Sequence, residues 1–205
     1  MSKIAICNMA LRFFGQEAIT RLDDNTPLAI HCRTFYDPAL KDLLRLHPWN
    51  FAQARVSLAR MDISDEWARE YLLAYAYPDK CMALHYLISP AGRQSRRFTV
   101  AALAGRRAVL TNIPEALAAC TVFIDDTGMF DPSFSMALAR RLQALILKAT
   151  LKSDSAQVRE AEELFRQALA TARTADAKEG RPFRDDGEFW NGGQDIWEAG
   201  MKHLG

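Results

Sequence analysis

A chain of 205 residues, 49% of them hydrophobic, with a formal net charge of +1, is long enough to bury about 70% of its unfolded surface and needs neither disulfide nor metal to hold a fold. The near-neutral charge argues against a protein whose main work is gripping phosphate, which takes a strongly basic domain. No window approaches the roughly 18 apolar residues of a membrane helix.

The chain opens on a helical pattern. Residues 1–16 have too short and too interrupted an apolar run for a secretory signal, and none is expected. Instead Ile4, Cys7, Leu11 and Phe14 share one helical face, and Gly15 stands just past it as a C-cap. After a polar, turn-like stretch at 21–25, Thr26-Pro27 supplies a capping oxygen and a proline where no N–H is needed. Ala29, Cys32, Tyr36, Leu40 and Leu43 then recur on one face, with Asp37, Lys41 and Arg45 opposite. Asp37-Pro38 repeats the start signal inside this segment, as a second start or a kink. Pro48 pushes His47 out of the α region, so the helix ends near Leu46.

From Phe51 the period changes. Ala52, Ala54, Val56 and Leu58 alternate with Gln53, Arg55 and Ser57, as in a strand with one wet face, with a helix as the competing reading. Short apolar or aromatic runs follow at 71–77, 82–88, 98–103, 107–111 and 121–124, separated by turn residues such as Pro78-Asp79, Gly105 and Pro114. They predict an antiparallel sheet or a small sandwich. Asp131-Pro132 then starts a third helix with the stripe Phe134, Leu138, Leu142, Leu145, Ile146 and Ala149. A capping box at Asp154 and Gln157 opens a fourth, striped by Val158, Ala161, Leu164, Phe165, Ala168, Leu169 and Ala172 and ending near 177. The expected fold is α+β. Residues 1–50 and 130–179 form a four-helix bundle, residues 51–129 an inserted antiparallel β lobe, and residues 180–205 an extended C-terminal tail.

Three blocks carry a resemblance: MALRFFGQEAI, YDPALKDLLRLHPWNFA and DDTGMFDPSFSMALARRL, in that order and spacing within residues 3–175. Together they resemble the tail tubular protein A family of short-tailed phages and prophages. The signature positions are Tyr36, Asp37, His47, Pro48, Trp49, Asn50, Phe51, Phe130, Asp131 and Pro132. The resemblance implies a structural virion protein rather than an enzyme, with no cofactor. Such proteins are head-to-tail adaptors: twelve copies form a homo-oligomeric ring that joins the portal protein to the tail nozzle, a tubular protein B-like partner, and double-stranded DNA passes through its channel. The implied location is the head–tail junction of the virion, and the host cytoplasm during assembly, with no membrane partner.

Read without that resemblance, the residues show no recognisable active site. His31, His47, His85 and His203 stand far apart with no second ligand at metal spacing, and GxSxG, HExxH, GxGxxG and Walker-type loops do not occur. His47, ahead of its proline, reads as a cap on a carbonyl or a packing landmark. The four cysteines, Cys7, Cys32, Cys81 and Cys120, lack CxxC spacing and read as buried free thiols of a reducing compartment. Asp125, Asp126 and Asp131 surround a turn at Gly128. They read as turn and cap residues, or as paired carboxylates of a carbohydrate-binding or carbohydrate-degrading tail protein. Arg93, Arg96, Arg97, Arg106 and Arg107 flank a strand pair with no acid among them. They are a charged hairpin edge that resists aggregation, a contact with an acidic neighbouring subunit or the channel DNA, or the core of a basic DNA-binding module. In the tail, six of the ten glycines fall together with Phe183, Phe189, Trp190, Ile196, Trp197 and Met201. Spacers are poor in aromatics, so this segment reads as a docking arm for another protein, or as a cover folded back on its own subunit.

Overall fold

In the computed structural model, which describes residues 1–150 and 155–179, helix α1 (Lys3–Arg12) starts at Ser2, whose hydroxyl accepts the Ala5 N–H. It ends in a turn where Gly15 takes φ +74° and the Gln16 N–H reaches back to the Leu11 carbonyl, the closure that glycine permits. The buried face is Ile6, Cys7, Ala10 and Leu11, one step round from the expected stripe, with Ile4 and Phe14 half-buried. Asn8 holds the following loop, its side chain exchanging hydrogen bonds of 2.8 and 3.0 Å with the Ile19 backbone.

Helix α2 (Pro27–Leu46) is capped by the Thr26 hydroxyl and buries all five residues of the expected stripe, adding Ala39 and Leu44. Pro38 neither starts a new helix nor ends this one. It lies on the exposed face of a continuous helix, where water can take the carbonyl that the proline leaves unpaired. Helix α3 (Pro132–Thr150) starts at Asp131, whose Oδ1 accepts the Ser133 N–H at 2.7 Å. Helix α4 (Ala156–Glu179) is capped by Ser155, whose hydroxyl accepts the Val158 N–H, while the expected cap Asp154 lies outside the described residues.

Helices α1, α2 and α4 all pack on α3 or share its apolar core. That central position explains why α3 is buried almost all round, through Ser135, Ala137, Ala139, Gln143, Ala144 and Leu147 as well as the expected Phe134, Leu138, Leu142 and Ile146. The small residues let neighbouring helices approach closely. Ala149 of the expected stripe is exposed. Arg141 ties three helices together, pairing with Asp42 of α2 and with Glu162 of α4.

The β region forms two four-stranded antiparallel sheets. The strands are β1 (Gln53–Ser57), β2 (Arg60–Met61), β3 (Leu73–Ala76), β4 (Cys81–Ile88), β5 (Gln94–Ser95), β6 (Thr99–Leu103), β7 (Arg106–Thr111) and β8 (Leu117–Val122). The first sheet has the order β1-β8-β4-β5 and the second β2-β3-β7-β6. Leu58, Tyr75, Leu87, Val109 and Ala118 meet between them, so the sheets pack face to face. The outer face of the second sheet, Ala74, Ala108 and Leu110, is covered by Met61, Ile63, Trp67 and Tyr71. The alternation expected for residues 53–57 holds in β1. The last strand, expected at 121–124, begins earlier and ends at Val122, because Phe123 and Ile124 leave the sheet to pack on the helical core. β1 and β8, the strands that connect directly to the helices, lie side by side. No helix among the described residues is long and apolar enough to cross a membrane.

Candidate functional site

The signature residues His47 to Phe51, with Phe130 and Asp131, come together where α2 ends and β1 begins. Pro48 stops α2 with His47 extended at φ −155° and ψ 147°, which leaves the last carbonyls of the helix without helical partners. Two side chains take them. The Trp49 indole N–H donates to the Leu43 carbonyl at 2.9 Å, and Arg173 of α4 donates to the Leu46 carbonyl at 2.6 Å. Trp49 is 1% exposed and stands edge-on to Phe134, with ring centroids 4.8 Å apart. Phe51 lies 4.8 Å from Phe134 and 5.5 Å from Phe130, completing a four-ring cluster. The 36–51 and 130–134 blocks, separated in sequence by the whole β region, thus share one aromatic core.

Asp176, near the end of α4, locks this junction from the other side. Its Oδ1 accepts the Asn50 backbone N–H at 2.9 Å, its Oδ2 lies 3.1 Å from His47 Nε2, and its own carbonyl accepts the Asn50 side-chain amide at 2.7 Å. His47 therefore faces a carboxylate and does not cap a carbonyl; Arg173 does that. Neither Asp176 nor Arg173 emerges from the apolar stripe of this helix, yet a signal was present. Phe165, Leu169, Ala172 and Asp176 continue one face in steps of four, three and four, so an acid sits where the next buried residue belongs. A small cavity of about 230 Å³ opens beside this lock, between Trp49, Phe51, Phe130, Asp131, Asp176 and Glu179.

Tyr36 and Asp37 join a second link between the blocks. Tyr36 is fully buried, the Lys3 ammonium sits 4.3 Å above its ring, and Lys3 also pairs with Asp37 at 3.2 Å and Asp125 at 3.7 Å. Burial, then the nearby Asp125, pushes the Tyr36 phenol well above its ordinary range. Asp126 accepts the Gly128 N–H at 2.8 Å, so Asp125, Asp126 and Asp131 each serve a different contact. Pro132 is the exposed first residue of α3. Among the described residues no group of three His, Cys, Asp or Glu side chains is placed to hold a metal ion.

The five arginines do flank a hairpin, but at its two ends. β6 and β7 pair from Thr99 with Leu110 to Leu103 with Arg106, about 14 Å along the strands. Arg106 and Arg107 stand at the turn, where the Arg107 guanidinium stacks 3.7 Å over the Tyr77 ring. Arg93, Arg96 and Arg97 stand at the far end, and Arg96 is close enough to His85 to help burial lower its pKa. All five are exposed. The expected docking residues Phe183, Phe189, Trp190, Ile196, Trp197 and Met201 lie outside the described residues.

A groove of about 660 Å³ lies at the end of the helical part away from the β sheets, lined by Phe13, Phe14, Leu28, Ile146, Leu147 and Leu164. Leu164, expected in the core, is half-buried on its wall. In comparison with known protein families and with curated proteins, no family model and no curated relative matches this chain.

Proposed function

We propose that this chain is one subunit of a head-to-tail adaptor ring of a short-tailed phage or prophage, a structural virion protein that joins the portal to the tail nozzle and surrounds the DNA channel. The observation that carries the reading is the convergence of the two signature blocks. Trp49, Phe51, Phe130 and Phe134 pack as one cluster, and Asp176 clamps His47 and Asn50 beside it. A subunit that must keep its helical and β parts at a fixed angle under load needs a junction of this kind. On this reading the helices are a four-helix bundle, the β sheets an inserted lobe, and residues 180–205 an arm that docks on the portal. Ring closure takes a heterologous interface, one patch of each subunit against a different patch of the next.

The test is the mass of the purified chain by native mass spectrometry or light scattering, first alone and then with isolated portal rings. The reading expects co-migration with the portal at a fixed subunit ratio, twelve in the family it resembles. A chain that stays monomeric and does not bind portal rings overturns it.

A further inference from the structure

The β region holds a thiol pair that an adaptor ring does not use. Cys81 begins β4, and its register partner on β8 is Val122. Cys120 lies two residues from Val122 on the same face of the sheet, which makes the two cysteines diagonal neighbours. Cys81 Sγ lies 3.2 Å from Tyr77 Oη, and the Arg107 guanidinium over that tyrosine ring brings a positive charge to the same place. Two clefts meet here. One, of about 570 Å³, runs between Val56, Pro78, Lys80 and Phe123; the other, of about 400 Å³, lies between Tyr77, Asp79, Arg106 and Arg107, and Cys81 lines both. Cys81 and Cys120 are themselves buried, 6% and 1% exposed, but Cys81 lines both clefts; Cys7 and Cys32, each 0% exposed inside the helical core, line neither.

We propose that Cys81 is a reactive, oxidisable thiol reached by small oxidants through these clefts, with Cys120 as its resolving partner. Reactive cysteines need thiolate character and access; for the buried Cys81 the two clefts that it lines are the route of access. The Cys120 thiol as hydrogen-bond donor, then the Tyr77 hydroxyl and the Arg107 charge, outweigh burial and bring Cys81 down to about 7. Cys120 is held up as a thiol by the same contact. The other charged groups on the clefts are Arg106, Asp79 and Lys80. With hydrogen peroxide as oxidant, the Cys81 thiolate attacks one peroxide oxygen. The O–O bond breaks, a sulfenic acid forms, and hydroxide leaves and is protonated to water. The Cys120 sulfur then attacks the sulfenic sulfur, the S–S bond forms as the S–O bond breaks, and the departing hydroxide leaves as water with the Cys120 proton. Two thiols lose two electrons, and one peroxide becomes two waters.

The test is iodoacetamide labelling of the native full-length protein across pH, with the modified peptides mapped by mass spectrometry. Cys81 is expected to react at least about tenfold faster than Cys7 and Cys32 at neutral pH, with a midpoint near about 7 that moves up in Arg107→Ala and Tyr77→Phe. Equimolar peroxide is expected to link Cys81 to Cys120, seen as the loss of two hydrogens and a non-reduced cross-linked peptide. Cys120→Ser is expected instead to accumulate a sulfenic acid that dimedone traps. The proposal is overturned if all four cysteines label together at the rate of global unfolding, or if peroxide leaves Cys81 and Cys120 as free thiols. The wild-type measurements need no variant to fold, and they are independent of ring assembly.

Discussion

Asp176 is 9% exposed and accepts the Asn50 backbone N–H while facing His47. Removing it leaves a part-buried N–H and an imidazole without their acceptor, at a cost of about 2 kcal/mol, or a melting temperature lower by about 6 °C in a chain of this size. Asp176→Ala is expected to show that loss in a thermal scan; an unchanged melting point would mean that the clamp contributes nothing to the fold. A stabilising change is expected at the turn of the β6–β7 hairpin. Ala104 and Gly105 both have positive φ, 49° and 73°, as a two-residue hairpin turn needs. Alanine is the wrong residue there because its Cβ crowds the left-handed region. Ala104→Asn is expected to stabilise by about 0.5–1 kcal/mol, read as a higher urea midpoint at an unchanged slope. At this scale sequence was informative wherever a side chain satisfied its own neighbourhood: Thr26, Asp131 and Gly15 all act where their chemistry put them. Asp176 was not legible as a clamp, because its partners lie more than 120 residues away in the chain.

α3 was expected to bury one stripe and instead buries nearly its whole circumference. Periodicity shows which face of a helix is apolar, but small residues such as Ala137, Ala139 and Ala144 count as neutral in a stripe although they allow close helix packing. The consequence is testable, since two leucines that look equivalent in sequence differ in the fold. Leu142 is 0% exposed at the centre of the core, whereas Leu164 is half-buried on the groove wall. Leu142→Asp is expected to unfold the chain, because its charge would be buried without a partner. Leu164→Asp is expected to cost only about 1 kcal/mol and to remain cooperative in denaturant unfolding. Equal collapse of both would contradict the central placement of α3. The longer strands were legible from turn residues and alternation, whereas the two-residue strands β2 and β5 are too short to carry a pattern. Of the two readings left open by the sequence, a single antiparallel sheet or a small sandwich, the structure takes the sandwich; which face of each strand is inner was not legible, because nothing local distinguishes it from the covered outer face of the second sheet. The hairpin arginines also separate by element. Arg96 and Arg97 stand at one end, and Arg106 and Arg107 at the other. The pair Arg96→Ser and Arg97→Ser is expected to leave melting unchanged, while Arg106→Ser with Arg107→Ser costs about 0.5–1 kcal/mol through the lost stacking on Tyr77. If either end faces the channel or a neighbouring subunit, only the pair at that end will lower particle assembly.

For the whole molecule, the question is what the segment after Glu179 does for the part before it. Among the described residues, α4 reaches its last turn with Asp176 locked to the α2–β1 junction and Arg173 on the Leu46 carbonyl. Ala172, Leu169 and Phe165 of the same helix are buried. If residues 181–205 are a docking arm, the folded part does not require them. Yet that segment carries two of the chain's four tryptophans, Trp190 and Trp197, and large aromatic side chains gain most when they are buried. On the docking-arm reading the binding energy they offer is spent on another protein, with the two tryptophans as its main anchors. Deletion of residues 181–205 is expected to leave the melting temperature within about 1–2 °C and to abolish co-sedimentation with portal rings. Trp190→Ala with Trp197→Ala is expected to reproduce most of the binding loss in the full-length chain. A truncated chain that melts much lower makes the segment part of the subunit's own core, and one that still binds portal rings places the docking surface elsewhere.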